Sequence, residues 1–221
     1  MSIIIALFGA IIGYFLNNYT ITVNEEEKGS VLKFSFDKVR TPIIFLWNII
    51  VPVLLFYKYY NVFNVYFFRD AILSAMCSAI FFIDFRLHII PNILNLITFV
   101  LGIILIFFDR SSAEDSFIGA AIGLIFFLII IILSRIIYKK DGMGLGDAKL
   151  MGAVGIMFGS VYTVATIIFS FIFGAIGATI ALISKNKKMG QEIAFGPYIV
   201  MAVMLMMFFG ENILGLYFSK F

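Results

Sequence analysis

Eight apolar runs joined by short polar connections take up most of this 221-residue chain, and little else is left to build with. They fall at about residues 3–16, 42–57, 65–83, 93–108, 117–137, 150–164, 167–183 and 194–217. Crossing the hydrocarbon core of a bilayer as a helix takes roughly 20 apolar residues. The runs therefore point to an all-α polytopic membrane helix bundle of about eight transmembrane segments, with no soluble domain of any size. Hydrophobic residues make up 62% of the chain and the mean hydropathy is +1.09, far beyond an ordinary globular domain. Residues 150–184 read as one helix would be roughly 50 Å long, too long for a single crossing. The stretch is therefore split, with the turn at Gly159-Ser160 or within residues 163–167. The first run lacks a basic start and a small-residue cleavage site, and the first charged residue is Glu25, so it reads as an uncleaved span.

Charge sets the expected orientation. All Lys and Arg except Lys58, Arg69, Arg110 and Lys220 fall in the connections after the first, third, fifth and seventh runs. The positive-inside rule places those connections in the cytoplasm and the N-terminus outside. The net charge of +3 serves this topology and implies no nucleic-acid partner; the bilayer is the implied surroundings. A lone cysteine, Cys77, excludes an intramolecular disulfide and a multi-cysteine zinc site, and the single histidine, His88, cannot build a metal centre alone. No metal is expected. The long loop at 17–41, with Glu25-Glu26-Glu27, reads as a solvated segment, and Tyr57, Tyr59 and Tyr60 as an interfacial aromatic belt.

Two aspartates stand out against this background. Asp84 ends an apolar run in Phe82-Ile83-Asp84-Phe85-Arg86-Leu87-His88-Ile89-Ile90-Pro91, and Asp147 follows three alternating glycines in Gly142-Met143-Gly144-Leu145-Gly146-Asp147-Ala148-Lys149. Ionisable groups at membrane depth are costly and mark function by default. Two of them on one side suggest a shared task, because paired carboxylates activate water in aspartic proteases. The structural alternatives are an interfacial Asp84 paired with Arg86, and an Asp147 that caps a helix beginning near Leu150. Pro91 suits the first position of the fourth span. Glycines 142, 144 and 146 allow positive φ and close backbone approach at the mouth of the next span.

These segments carry a resemblance. Gly142 to Leu150 resembles the Gly-x-Gly-Asp signature of the type IV prepilin peptidases, and Ile83 to Pro91 resembles their first catalytic motif. Ile193-Ala194-Phe195-Gly196-Pro197-Tyr198 resembles their closing Phe-Gly-Pro element, and Gly9 to Asn17 their first span. The resemblance implies a Gly-x-Gly-Asp aspartyl protease fold with Asp84 and Asp147 as the catalytic dyad, supported by Gly144, Gly146, Lys149 and Pro91. Asn92 stands where many relatives have an acid, and Asp141 where Glu is frequent.

The implied activity is removal of the basic leader from a type IV prepilin or pseudopilin at the cytoplasmic boundary of a prokaryotic inner membrane. The peptidase itself needs no cofactor. Bifunctional members also methylate the new N-terminus with S-adenosylmethionine, and often carry two Cys-x-x-Cys pairs that this chain lacks. No zinc is expected, and the chain is either a peptidase with methyltransferase activity or a peptidase alone. Residues 1–64 form the candidate methyltransferase region and 65–221 the peptidase core. Two rivals are a presenilin-type protease and a small multi-pass transporter. The absence of a Tyr-Asp pair and the apolar mid-span positions speak against them.

Overall fold

The structure, a computed structural model, describes residues 50, 51, 53–55, 57–59, 64–139, 142–183 and 194–219. The first expected span, most of the second, the loop at 17–41, Tyr60 and Asp141 lie outside the described residues. Among the described residues the regular structure is helical: α1 Val65–Leu87, α2 Asn92–Phe108, α3 Ala113–Tyr138, α4 Leu145–Phe158, α5 Ser160–Ile183 and α6 Gly196–Phe218, with a 3-10 turn at Arg110–Ser112. Residues 50, 51, 53–55, 57 and 58, also helical, precede them. The chain is a multi-pass membrane protein. Helices α1, α3, α5 and α6 are each long and apolar enough to cross a bilayer, and α2 is a shorter apolar helix of 17 residues.

Local chemistry places the helix ends. The Asn64 side chain accepts the Phe67 N–H at 3.0 Å and caps α1, which stops where His88 turns left-handed at φ 56°. Pro91 occupies the cap of α2 rather than its first helical position, so the helix begins at Asn92. The long 150–184 stretch breaks at Gly159, whose φ of 77° with ψ of −179° is open essentially to glycine alone. Asp115, in the first turn of α3, accepts both the N–H and the hydroxyl of Ser160 and so caps α5 from a neighbouring helix. Residues 163–167, the other site considered for the turn, are continuous helix.

Helix α4 is the centre of the bundle. Its 14 residues span about 21 Å, short of the roughly 30 Å hydrocarbon core, and only Leu145, Gly146 and Lys149 are not buried. It packs against α1, α2, α3, α5 and α6. The tightest seam is with antiparallel α3, where Gly119 and Gly123 face Gly155 and Met151 backbone to backbone; an added Cβ at Gly123 or Gly155 would strike a carbonyl of the other helix. Small residues permit this approach, and close packing drives helix association in lipid. The register puts Asp147 level with Phe127. Helix α3 then continues about eleven residues, roughly 16 Å, past that level.

At the opposite end lies a charged network that the hydropathy pattern conceals. Asp70 is fully buried and accepts from Lys58 Nζ at 2.9 Å, Tyr59 Oη at 2.6 Å and Arg69 Nε at 2.8 Å. Lys58 also donates to the Met207 carbonyl, which ties the segment before α1 to α6. Tyr59 is thus a member of this network rather than of an aromatic belt. Burial, and then its bond to Asp70, hold its phenol above the ordinary value. Tyr57 is 83% exposed. A cavity of about 560 Å³ opens beside the network, between Arg69, Tyr66, Asp109, Phe158 and Tyr162.

Candidate active site

The site forms where the C-terminal end of α1 meets the N-terminal ends of α2, α4 and α6. Asp84, one turn before the end of α1, is 4% exposed, and its Oδ2 accepts the backbone N–H of Gly196 at 2.9 Å. Gly196 opens α6, so the Phe-Gly-Pro element supplies a fixed donor to the first aspartate. Glycine leaves room for the carboxyl: a Cβ on residue 196 would lie 2.5 Å from Asp84 Oδ2 and push it away. Phe195 locks the element in place, its ring 6.1 Å from that of Phe127 on α3 and 5.2 Å from that of Phe171 on α5.

Asp147 occupies the third position of α4, not the cap of a helix beginning near Leu150. Gly144 is the cap residue, and Asp147 Oδ2 accepts its N–H at 3.2 Å while the Asp147 N–H bonds back to the Gly144 carbonyl. One backbone N–H thus holds the carboxyl, and the second bond closes the turn that carries it. An acid in the first turn also suits the positive end of the helix dipole. Among the described glycines only Gly159 has positive φ, so Gly142, Gly144 and Gly146 serve close approach instead. Gly146 is the clearest case: an added Cβ would lie 3.0 Å from Ile90 Cβ.

Ile90 connects the two aspartates sterically. Its side chain lies against Gly146, next to Asp147, and its Cδ1 would be 3.1 Å from a Cβ on Gly196, the residue that bonds Asp84. The two carboxyls thus lie at the same end of the bundle, with Ile90 packed beside Gly146 and Gly196. Asp147 Oδ1 is buried and has no hydrogen-bond partner in the protein, an acceptor left free for a reacting group. A pair of adjacent buried carboxyls can hold one proton between them, so that one can take a proton while the other gives one. Helix α3 rises about 16 Å beyond the level of the site.

The other residues of the two motifs lie near the pair. Lys149 Nζ donates to Asn92 Oδ1 at 2.8 Å, so the residue standing where relatives carry an acid receives the motif lysine as a neutral partner. Pro91 turns the chain from α1 into α2 beside Ile90. His88 is exposed at the end of α1. Sequence reasoning did not single out Ile90, Asn95 or the donor role of Gly196. Asn95 carries a legible signal, a polar residue one turn after Asn92 in an otherwise apolar helix; the Gly196 contact bridges 112 residues and leaves none.

The chain is similar in sequence to known proteins. Residues 71–179 match the family model described as type IV leader peptidase family. The prepilin leader peptidase/N-methyltransferase of Pseudomonas aeruginosa is 32% identical over 136 residues, 61% of this chain and 47% of that protein. The protein of the same name from Xanthomonas campestris is 30% identical over 151 residues, 68% of this chain and 53% of its own length. That of Dichelobacter nodosus is 32% identical over 142 residues, covering 64% and 47%. The chain spans about half the length of the curated relatives it matches. No solved structure matches it. Both aspartates of the buried pair thus lie inside residues 71–179, the stretch that matches the type IV leader peptidase family.

Proposed function

We propose that this chain is an aspartic-type endopeptidase of the membrane that removes the leader from a type IV prepilin or pseudopilin. The observation that carries the reading is the meeting of two buried carboxyls at one end of the bundle, each oriented by a glycine N–H from a different helix start. A precursor with a basic leader and an apolar first helix presents its scissile bond at the membrane boundary, where a pair at the helix ends can meet it. The ionised member of the pair takes a proton from water, which attacks the scissile carbonyl. The protonated member stabilises the developing oxyanion and then passes its proton to the leaving amine. No metal or cofactor enters this chemistry.

The positive-inside reading puts the pair on the cytoplasmic side of a prokaryotic inner membrane, facing the leader. Arg135, Lys139 and Lys149 share the pair's end of the bundle, whereas Lys58, Arg69 and Arg110 belong to the other. An impermeant thiol reagent should label a cysteine placed near Asp147 from the cytoplasmic side alone. The peptidase core is residues 65–221. Methylation with S-adenosylmethionine belongs, on this reading, to residues 1–64, almost all outside the described residues, and mass spectrometry of a processed pilin N-terminus decides it.

The deciding experiment is coexpression with a prepilin, read as a mobility shift. Asp84→Asn and Asp147→Asn should each abolish leader removal while the protein still inserts. Cleavage at the wild-type rate by either variant would remove that residue from the pair.

A further inference from the structure

Helix α2 contributes an element of the site that neither the motifs nor the aspartates account for. Its first turn presents Asn92 and Asn95, three residues apart and so on one face, to the first turn of α4, where Gly146 and Lys149 have the same spacing. The outer pair is the exposed bond from Lys149 to Asn92. The inner pair is a bond from Asn95 Nδ2 to the Gly146 carbonyl at 3.2 Å, and Asn95 is 4% exposed. The carbonyl so held belongs to the residue immediately before Asp147.

Stability does not explain this asparagine. Gly146 lies in the first turn of α4, where the helix already offers its carbonyl the N–H of Leu150, so the Asn95 bond is surplus. Meanwhile Asn95 Oδ1 is buried and unpartnered, a cost that an apolar side chain of similar size would not carry. Among the described residues two buried side-chain polar atoms lack a partner, and they are Asn95 Oδ1 and Asp147 Oδ1. An expensive polar group is thus kept one residue from the reacting carboxyl, in a helix that otherwise buries apolar residues, Thr98 and Gly102.

We propose that Asn95 is a positioning residue of the peptidase: it holds the Gly146–Asp147 turn from α2 and thereby fixes the Asp147 carboxyl relative to Asp84. The proposal rests on the peptidase reading above. Asn95 touches no reacting atom in this role and acts through the backbone of α4. Its loss leaves the fold intact and lets the carboxyl drift from its working geometry, and such misplacement lowers the chemical step more than substrate binding.

The test uses the full chain in proteoliposomes with a purified prepilin as probe. Asn95→Leu should melt at or above the wild-type temperature, lower kcat by about 10- to 100-fold and leave KM within about twofold. Asn95→Thr keeps a hydroxyl donor for the carbonyl and should recover part of the loss. A second readout is the rate at which a carbodiimide labels Asp147, followed by mass spectrometry, which Asn95→Leu should change severalfold. If Asn95→Leu does not insert, Asn95→Asp, which keeps the size and turns the donor into an acceptor, takes its place. Wild-type kcat and labelling in the variant, or a loss confined to KM or to melting temperature, would overturn the proposal. If the wild-type chain cuts no prepilin, the peptidase reading fails, and the labelling rate alone decides whether Asn95 sets Asp147.

Discussion

Replacing Gly196 by alanine separates catalysis from stability within one methyl group. The new Cβ would lie 2.5 Å from Asp84 Oδ2, against an ordinary contact of 3.4 Å or more, so the carboxyl must withdraw by about 0.9 Å. Its bond from the Gly196 N–H, 2.9 Å in the native site, would stretch to nearly 4 Å and be lost. A hydrogen bond to a charged group contributes about 1.5–3 kcal/mol, and a misplacement near 1 Å costs roughly 100-fold in rate. The second close neighbour, Ile90 Cδ1 at 3.1 Å, is the end of a flexible side chain and can give way. Alanine meanwhile favours helix over glycine by up to about 1 kcal/mol, which offsets part of the disturbance to folding. Gly196→Ala should therefore insert normally, melt close to the wild-type temperature and cleave a prepilin about 100-fold more slowly. Gly215→Ala is the matched control, the same change in the same helix with nothing within 4 Å of the new atom. It should keep full activity. Single-turnover cleavage and thermal melting of both variants test the argument. Wild-type cleavage by Gly196→Ala would show that the backbone donor does not orient Asp84.

Other expectations concern the rest of the bundle. Asp70→Asn leaves Lys58 and Arg69 without their buried counter-charge and should destabilise the protein by about 3–5 kcal/mol, read in thermal melting, with little change in kcat for the molecules that remain folded. Gly123→Ala drives a methyl into the Met151 carbonyl on the α3–α4 seam, so melting temperature and activity should fall together, because α4 carries Asp147. Cleavage should pass through a maximum with pH, falling on the alkaline side as the shared proton leaves the pair and on the acid side as both carboxyls fill. A rate that kept rising with pH would mean the two do not work as a coupled pair.

Hydropathy and motif determined a good deal of this protein by themselves. Runs of apolar residues dictate membrane helices because lipid offers no partner to an unpaired backbone, and the described helices fall close to the expected segments. Asp84 and Asp147 stood out because an acid beside such a run is costly without a task. Tertiary structure alone decided which groups meet them. Gly196 reaches Asp84 across 112 residues and Asn95 reaches Gly146 across 51, contacts set by how α6 and α2 dock rather than by any local pattern. Asp70 was not singled out by the sequence, because its partners Lys58, Tyr59 and Arg69 are brought to it only by packing. The turn at Gly159 was narrowed by sequence to two places and fixed by Asp115, which caps α5 from another helix. Periodicity and motif report what each segment needs from its surroundings; only the packed bundle shows which distant residue supplies it.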